Sequence, residues 1–195
     1  MKAFAYFNRG GDTASPLAKP RFACLRPDTA SPYLSYVKFN INGFVTFEQF
    51  ENFIRISFEI FGLDDGLHGF HIHEKPLTLL SNYDSPCKEC CSHFNGGVPI
   101  LSEKNPYGTP HGLHLGDLCF NINSTNGVAS GTFDDYNLSI IPGRDNNIVG
   151  RSIVIHANQD DMGILGEVYS SDGGIESLIT GNAGDRVACA NIYYF

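Results

Sequence analysis

Between Phe53 and Phe61 apolar and polar residues alternate without a break: Ile54, Ile56, Phe58 and Ile60 fall on one side, Arg55, Ser57 and Glu59 on the other. Successive side chains leave opposite faces of a pleated strand, so this period of two defines a β-strand with one dry face. The segment before it reads as a hairpin, Tyr36 to Ile41, a two-residue Asn42-Gly43 turn, then Phe44 to Gln49. Further strands are expected over 69–74, 116–123, 127–134, 136–141, 149–157 and 186–195. No stretch of useful length carries a helical period, and there is no internal repeat or heptad. Only 17% of residues are charged, while 21 Gly, 15 Phe and 9 Tyr favour short strands joined by turns. The expectation is an all-β sandwich or barrel with two long loops, 75–115 and 157–185. Long ordered loops are uncommon unless they serve a function.

The length of 195 residues suits one domain with a tail. Residues 1–33 lack periodicity and carry Gly10, Gly11, Pro16, Pro20, Pro27 and Pro32, so they read as an N-terminal extension or leading loop, with the domain over 34–195. Thirteen basic against twenty-one acidic residues give a net charge of −8, which argues against non-specific nucleic-acid binding. No apolar run approaches the roughly 20 residues of a membrane span. The start of the chain offers only five consecutive apolar residues, too few for a signal-peptide core, so a cytoplasmic location is expected.

The seven histidines are grouped. His71 and His73 stand two apart on a predicted strand, so both imidazoles project from one face while Phe70 and Ile72 take the other. His93 lies in the first long loop, and His111-Gly-Leu-His-Leu-Gly-Asp117 places a carboxylate three residues beyond the second imidazole. His156 follows the apolar run Ile153-Val-Ile155. A lone histidine is most often a surface or hydrogen-bonded residue, but several such signals in one chain point to metal. Imidazoles suit copper and zinc, and a carboxylate among them suits zinc. His68 receives no ligand role.

These residues resemble those of the copper/zinc superoxide dismutase family. The likeness runs through Gly66-Leu-His-Gly-Phe-His-Ile-His-Glu74, His93-Phe-Asn95, His114-Leu-Gly-Asp-Leu118, Gly150-Arg-Ser-Ile-Val-Ile-His156, Asp160-Asp-Met-Gly163 and Thr180-Gly-Asn-Ala-Gly-Asp-Arg-Val-Ala-Cys189. The order of the blocks is also the family's order. In length, N-terminal tail and the Cys90-Cys91 pair the chain is similar to members from large DNA viruses, for which the location would be host cytoplasm or virion.

The resemblance implies an eight-stranded Greek-key β-barrel, an immunoglobulin-like sandwich, with copper and zinc as cofactors. It implies copper ligands His71, His73, His93 and His156, and zinc ligands His93, His111, His114 and Asp117, with His93 bridging. Asp160 would hydrogen-bond a copper histidine and a zinc histidine, fixing both rings. Arg186 would hold the anionic substrate, with Thr180 across the channel. The implied reaction oxidises one superoxide to O₂ and reduces another to hydrogen peroxide, with His93 carrying a proton.

Six cysteines allow many pairings, and spacing decides none of them. The resemblance implies Cys87–Cys189, with Cys90 and Cys91 as rivals for the same partner. Cys24 and Cys119 read as small buried hydrophobes. Cys87-Lys-Glu-Cys90 also has redox or metal-transfer spacing.

Three positions depart from the family pattern. Asn105 stands where a zinc histidine usually lies nine positions before His114, leaving His111 as the nearest substitute. Glu74-Lys-Pro76 and the ending Ala190 to Phe195 replace segments of the family's dimer contact; a homodimer is still expected, since the aromatic ending suits an apolar interface. Ile179 replaces a substrate-steering lysine. Two other functions share the fold, a copper-chaperone-like domain and a catalytically dead decoy that binds a copper chaperone. Both are expected to show damaged copper ligands or a missing arginine, and the sequence shows neither.

Overall fold

A computed structural model describes residues 1–7, 35–37, 41–78, 86–96, 111–164 and 172–195. Its strands are β1 (Lys2–Phe7), β2 (Ser35–Val37), β3 (Asn42–Gln49), β4 (Ile54–Phe61), β5 (Gly66–His73), β6 (Asp117–Ser124), β7 (Val128–Asp135), β8 (Ser152–His156), β9 (Arg186–Asn191) and β10 (Tyr193–Tyr194). An α-helix, α1 (Asp172–Thr180), and a 3₁₀ turn, Pro86–Cys90, are also present among the described residues. The strands form two antiparallel five-stranded sheets, ordered β10-β1-β3-β4-β7 and β2-β9-β8-β5-β6. Leaving out the short β2 and β10, the chain crosses between the sheets after β4 and β6, and again between β7 and β8, which is the Greek-key wiring expected. Eight strands carry the sandwich, and the short β2 and β10 extend its edges.

The period-two pattern of β4 holds: Ile54, Ile56 and Ile60 are fully buried, with Phe58 packed against them. They meet Phe70 and Ile72 of β5 and Ile153 and Ile155 of β8 from the opposite sheet, forming one apolar layer. The second sheet is also covered on its outer face. Strand β8 is buried along its whole length, and β5 is buried from His68 to His73. The described parts of the two long loops bring His93, His111 and His114 to that face, beside His71, His73 and His156.

Several expectations are corrected. The extension expected over 1–33 opens instead with β1, whose Ala3, Ala5 and Phe7 are buried and which pairs with β3 along its length. Ala3 and Ala5 are small, and Phe4 and Tyr6 between them are also apolar, so the alternation was masked. Residues 8–34, with Cys24, lie outside the described residues. Asn42 and Gly43 do not form a hairpin turn. They begin β3, paired to Phe61 and Ile60 of β4, while Ser35–Val37 joins β9 in the other sheet. Residues 136–141 make no strand beyond an isolated bridge from Ser139 to Asn147. The Asp135 carboxylate accepts from the amides of Asn137 and Leu138 and turns the chain there. Helix α1 was missed because Gly173 and Gly174 weaken its propensity and its apolar face is short.

Gly43 shows why the turn reading failed. Its φ is +147°, and a Cβ there would lie 2.2 Å from the Glu59 carbonyl oxygen and 2.8 Å from the Ile60 Cα. The glycine therefore serves close backbone approach within the sheet. Gly43→Ala is expected to cost about 2–3 kcal/mol of stability. Gly66→Ala, at φ +128° with nothing within 4 Å, should cost less. Midpoints of denaturant unfolding for the two variants check this ordering.

Candidate metal centre

The centre is assembled on the outer face of the second sheet. Alternation on β5 turns Phe70 and Ile72 into the core and His71 and His73 outward. Across the sheet Asp117 of β6 stands opposite His71, and His71 opposite Val154 of β8. Register shifts interrupt β5 between Gly69 and His71, and β8 between Ile155 and His156. Such bulges re-aim side chains, and here they bring His156 beside Arg186.

Loop residues complete the set. A backbone knot holds them to β5: Phe94 N donates to Ile72 O (2.9 Å), Ile72 N to Gly116 O (3.0 Å) and Gly116 N to Phe94 O (2.7 Å). It fixes His93 and Asp117 beside His71 and His73. Arg151 braces the same corner, with its guanidinium 3.6 Å from the centre of the Phe94 ring and 2.6 Å from a Glu74 carboxylate oxygen.

The rings converge in two groups, His71, His73, His93 and His156, and His93, His111, His114 and Asp117. In each group the potential ligand atoms lie within 4.8 Å of one another. His93 belongs to both. His111 therefore stands with His114 and Asp117, and Asn105 lies outside the described residues. His71 Nε2 is 2.5 Å from Asp160 Oδ2, and His111 Nε2 is 2.7 Å from the same oxygen. One carboxylate thus orients a ring of each group.

The residues fit a metal pair on the chemistry of their nitrogens. His73 Nδ1 donates to the Cys91 carbonyl (2.8 Å) and His156 Nδ1 to the Gly184 carbonyl (3.1 Å). The remaining nitrogens, His73 Nε2 and His156 Nε2, are buried with no hydrogen-bond partner, as is His71 Nδ1, while His111 Nδ1 stands 3.2 Å from Asp117 Oδ1. A buried ring held through one nitrogen, with the other free, has the arrangement of a metal ligand. His68 contrasts with them, since its nitrogens face the carbonyls of His156 and Asp64 at 2.9 Å each.

Burial pushes His73 and His156 well below the usual imidazole range. Burial likewise lowers His93 to about 4, against the opposing hydrogen bond to Asp117. These rings are neutral at ordinary pH, the form in which a nitrogen lone pair can bind a metal. Burial disfavours the charged form of His111, but its bonds to Asp117 and Asp160 outweigh that and raise it to about 9. Burial raises Asp117 and Asp160 as well, yet their histidine partners hold both below the usual carboxylate range.

The other residues singled out from the sequence lie around this centre. Arg186 donates through one guanidinium nitrogen to the Cys87 carbonyl at 2.8 Å. Thr180 ends α1, its hydroxyl donating to the Glu176 carbonyl. Cys87 and Cys189 form a disulfide with Cα atoms 5.7 Å apart, while Cys90 and Cys91 are free. The bond spans 102 residues and pins the first long loop to β9, which is worth about 4–5 kcal/mol by the chain-entropy argument. The side chain of Cys119 lies outside the described residues.

Residues 41–192 match the copper/zinc superoxide dismutase (SODC) family. An extracellular copper-zinc superoxide dismutase of Brugia pahangi is 40% identical over 77% of this chain and 68% of its own length. A copper-zinc superoxide dismutase of Paramecium bursaria Chlorella virus 1 is 38% identical over 79% of this chain and 73% of its own. Superoxide dismutase [Cu-Zn] A of Xenopus laevis is 36% identical over 78% and 89%. The fold is that of a Greek-key metalloprotein with a histidine-rich dinuclear centre. The chain belongs to the copper/zinc superoxide dismutase family.

Sequence reading missed Gly181 and the reciprocal pair of Asn121 with the Asp160 backbone. At Gly181, φ is +70° and a Cβ would lie 2.1 Å from Asp160 Oδ1 and 2.5 Å from His111 Nε2. The signal was the glycine directly after the last helical residue, where a left-handed cap is common. Gly181→Ala should push Asp160 off His111 and His71 and lower metal affinity about 10–100-fold, in the range seen for ligand-orienting partners. Competition titration against a chelator of known strength measures it.

Proposed function

We infer that this chain disproportionates superoxide, with His71, His73, His93 and His156 as the copper set and His93, His111, His114 and Asp117 as the zinc set. The observation that carries this reading is the single ring, His93, shared by two four-residue groups of ligand-type atoms. When bound, copper supplies a one-electron redox couple and zinc a fixed positive charge. One superoxide is oxidised to O₂, and a second is reduced and protonated to hydrogen peroxide.

The chain's own residues position substrate and proton. His93 turns Nδ1 toward Asp117 at 2.5 Å, which leaves Nε2 for the four-histidine group. From Nε2 the ring can hold a proton and release it to a reduced oxygen within hydrogen-bond reach. Asp160 keeps His71 and His111 aligned. Arg186, fixed by the Cys87 carbonyl, offers an anion the positive charge opposite His156. Thr180 would line the approach from the end of α1. The decoy and chaperone-like readings call for a broken copper set or a lost arginine, and neither occurs here.

The family's dimer is proposed for this chain as well. Support comes from the edge of the first sheet, where Met1, Tyr194 and Phe195 are exposed and the Phe4 and Phe195 rings meet at 4.8 Å. A homodimer through that edge should dissociate on Phe195→Ser, read by sedimentation. A copper-delivering partner is proposed on different grounds, the near-complete burial of all four copper-set rings.

His93→Ala is expected to lower occupancy of both metals and abolish superoxide turnover. Elemental analysis with a turnover assay checks it, and retention of both metals with activity overturns the shared-ligand reading. His111→Ala should lower zinc selectively. Unchanged zinc there, with loss on replacing Asn105, would assign the ligand to Asn105 instead.

Steering is expected to be weak. The net charge is −8, and α1 carries Asp172 and Glu176 with no basic residue in its last turn, where Ile179 stands. The rate constant should therefore fall only shallowly as salt rises, because screening acts on long-range attraction over about 10 Å at 0.1 M. Ile179→Lys adds a cation at a helix C-terminus, where it is favoured, and should raise the low-salt rate. A steep salt dependence without the lysine, or no gain with it, would contradict this account.

A further inference from the structure

Beside the metal centre the outer face of the second sheet carries a separate buried cluster of Leu77, Cys87, Cys90, Val154 and Cys189. Two of its sulfurs are bonded to each other, and the third, Cys90, is a free thiol with no exposed surface. Local geometry brings it there. Pro86–Cys90 forms a 3₁₀ turn, in which residues three apart eclipse on one face about 6 Å apart. That separation lies within the range of about 4.4–6.8 Å between Cα atoms that a disulfide bridges. A free thiol therefore stacks over one end of the bond that pins the loop.

We propose that Cys90 is a resident exchange thiol for the Cys87–Cys189 disulfide. Its thiolate attacks Cys87 Sγ, a Cys87–Cys90 bond forms as Cys87–Cys189 breaks, and Cys189 leaves as thiolate and takes up the proton that Cys90 released. One disulfide and one thiol stand on each side of the step, so no oxidant or reductant is consumed. The product keeps Cys87 oxidised and cuts the tie to β9.

The segment released by that exchange holds parts of the metal centre through its backbone. Cys87 O accepts from Arg186, and Cys91 O from His73 Nδ1. Cys90 O accepts from the Lys75 amide and Ser92 O from the Glu74 amide. Exchange thus reaches the anion-binding arginine and a copper-set ring without altering either side chain. Burial raises the Cys90 thiol above its ordinary range, which keeps it protonated while the cluster is closed. Exchange then waits on local opening of the turn. Cys91 has φ +61° and is half-buried, and it lies outside the cluster, which makes it the natural control.

The test uses the full chain loaded with copper and zinc, kept free of reductant at mildly alkaline pH with a maleimide present throughout. Samples are digested without reduction and the linked peptides mapped. The expected product carries label on Cys189 and a Cys87–Cys90 link. Label on Cys189 should appear about tenfold or more slowly in Cys90→Ala, where no Cys87–Cys90 link can form, and at an unchanged rate in Cys91→Ala. An intact Cys87–Cys189 peptide and unchanged metal content at the start establish that each variant is folded, and Cys90→Ser serves if Cys90→Ala fails that check. Equal labelling of Cys189 in wild type and the Cys90 variant overturns the proposal. Label on Cys90 with Cys87–Cys189 intact overturns it too, as does a link through Cys91.

Discussion

An imidazole buried away from water must find a partner for each of its two nitrogens. His71, His73, His93, His111 and His156 bring five such rings under one set of loops. Only part of that requirement is met by the protein itself. Backbone carbonyls of Cys91 and Gly184 take one nitrogen from His73 and His156, and the Asp160 carboxylate takes one each from His71 and His111. What is left unpartnered is a set of nitrogens aimed at common points, so the demand that each buried polar atom be satisfied is also the demand for metal. His68 shows the alternative in the same strand. Both its nitrogens face carbonyls, and it takes no part in either group.

Covering those rings requires loops that the sheets alone would not hold. Three devices hold them, each using a different interaction. The mutual hydrogen bonds of Ile72, Phe94 and Gly116 lock three separate chain segments together at the backbone. Arg151 stacks on Phe94 and pairs with Glu74, adding a partly buried cation over an aromatic face. The Cys87–Cys189 bond attaches the far end of the same loop to β9. Loss of any one leaves the others acting on the same small region, so their effects should be strongly non-additive.

The residues whose ligand-type atoms converge were legible in the sequence because each sits in a short block whose neighbours are also constrained. His71 and His73 share a strand, and Asp117 follows His114 by one turn of loop. The strict alternation of β4 was legible for the same local reason. What stayed hidden depends on contacts distant in sequence. Ala3 and Ala5 carry too little hydrophobic contrast to mark β1, and Gly43 looks like a turn residue until its partner Glu59 is known. Gly181 is visible as a cap, but its closeness to Asp160 and His111 is a tertiary fact. The carbonyls of Cys87 and Cys91 act through atoms that every residue has, so no side-chain pattern could announce them.

That last point bears on how Arg186 could serve an anion in a protein of net charge −8. Arg55 is matched by Asp134 at 2.8 Å and Arg151 by Glu74 at 2.6 Å, so each guanidinium already faces a carboxylate. Arg186 is instead fixed by a neutral acceptor, the Cys87 carbonyl. A carbonyl orients the guanidinium without cancelling its charge, whereas a carboxylate would do both. Burial lowers the pKa of Arg186, yet a guanidinium remains charged at any pH the fold meets. Its partial burial also weakens screening by salt, so the charge acts at short range on an anion that has arrived rather than at long range on one approaching. Capture of a small anion by Arg186, as proposed, would therefore be tied to a backbone oxygen at the disulfide.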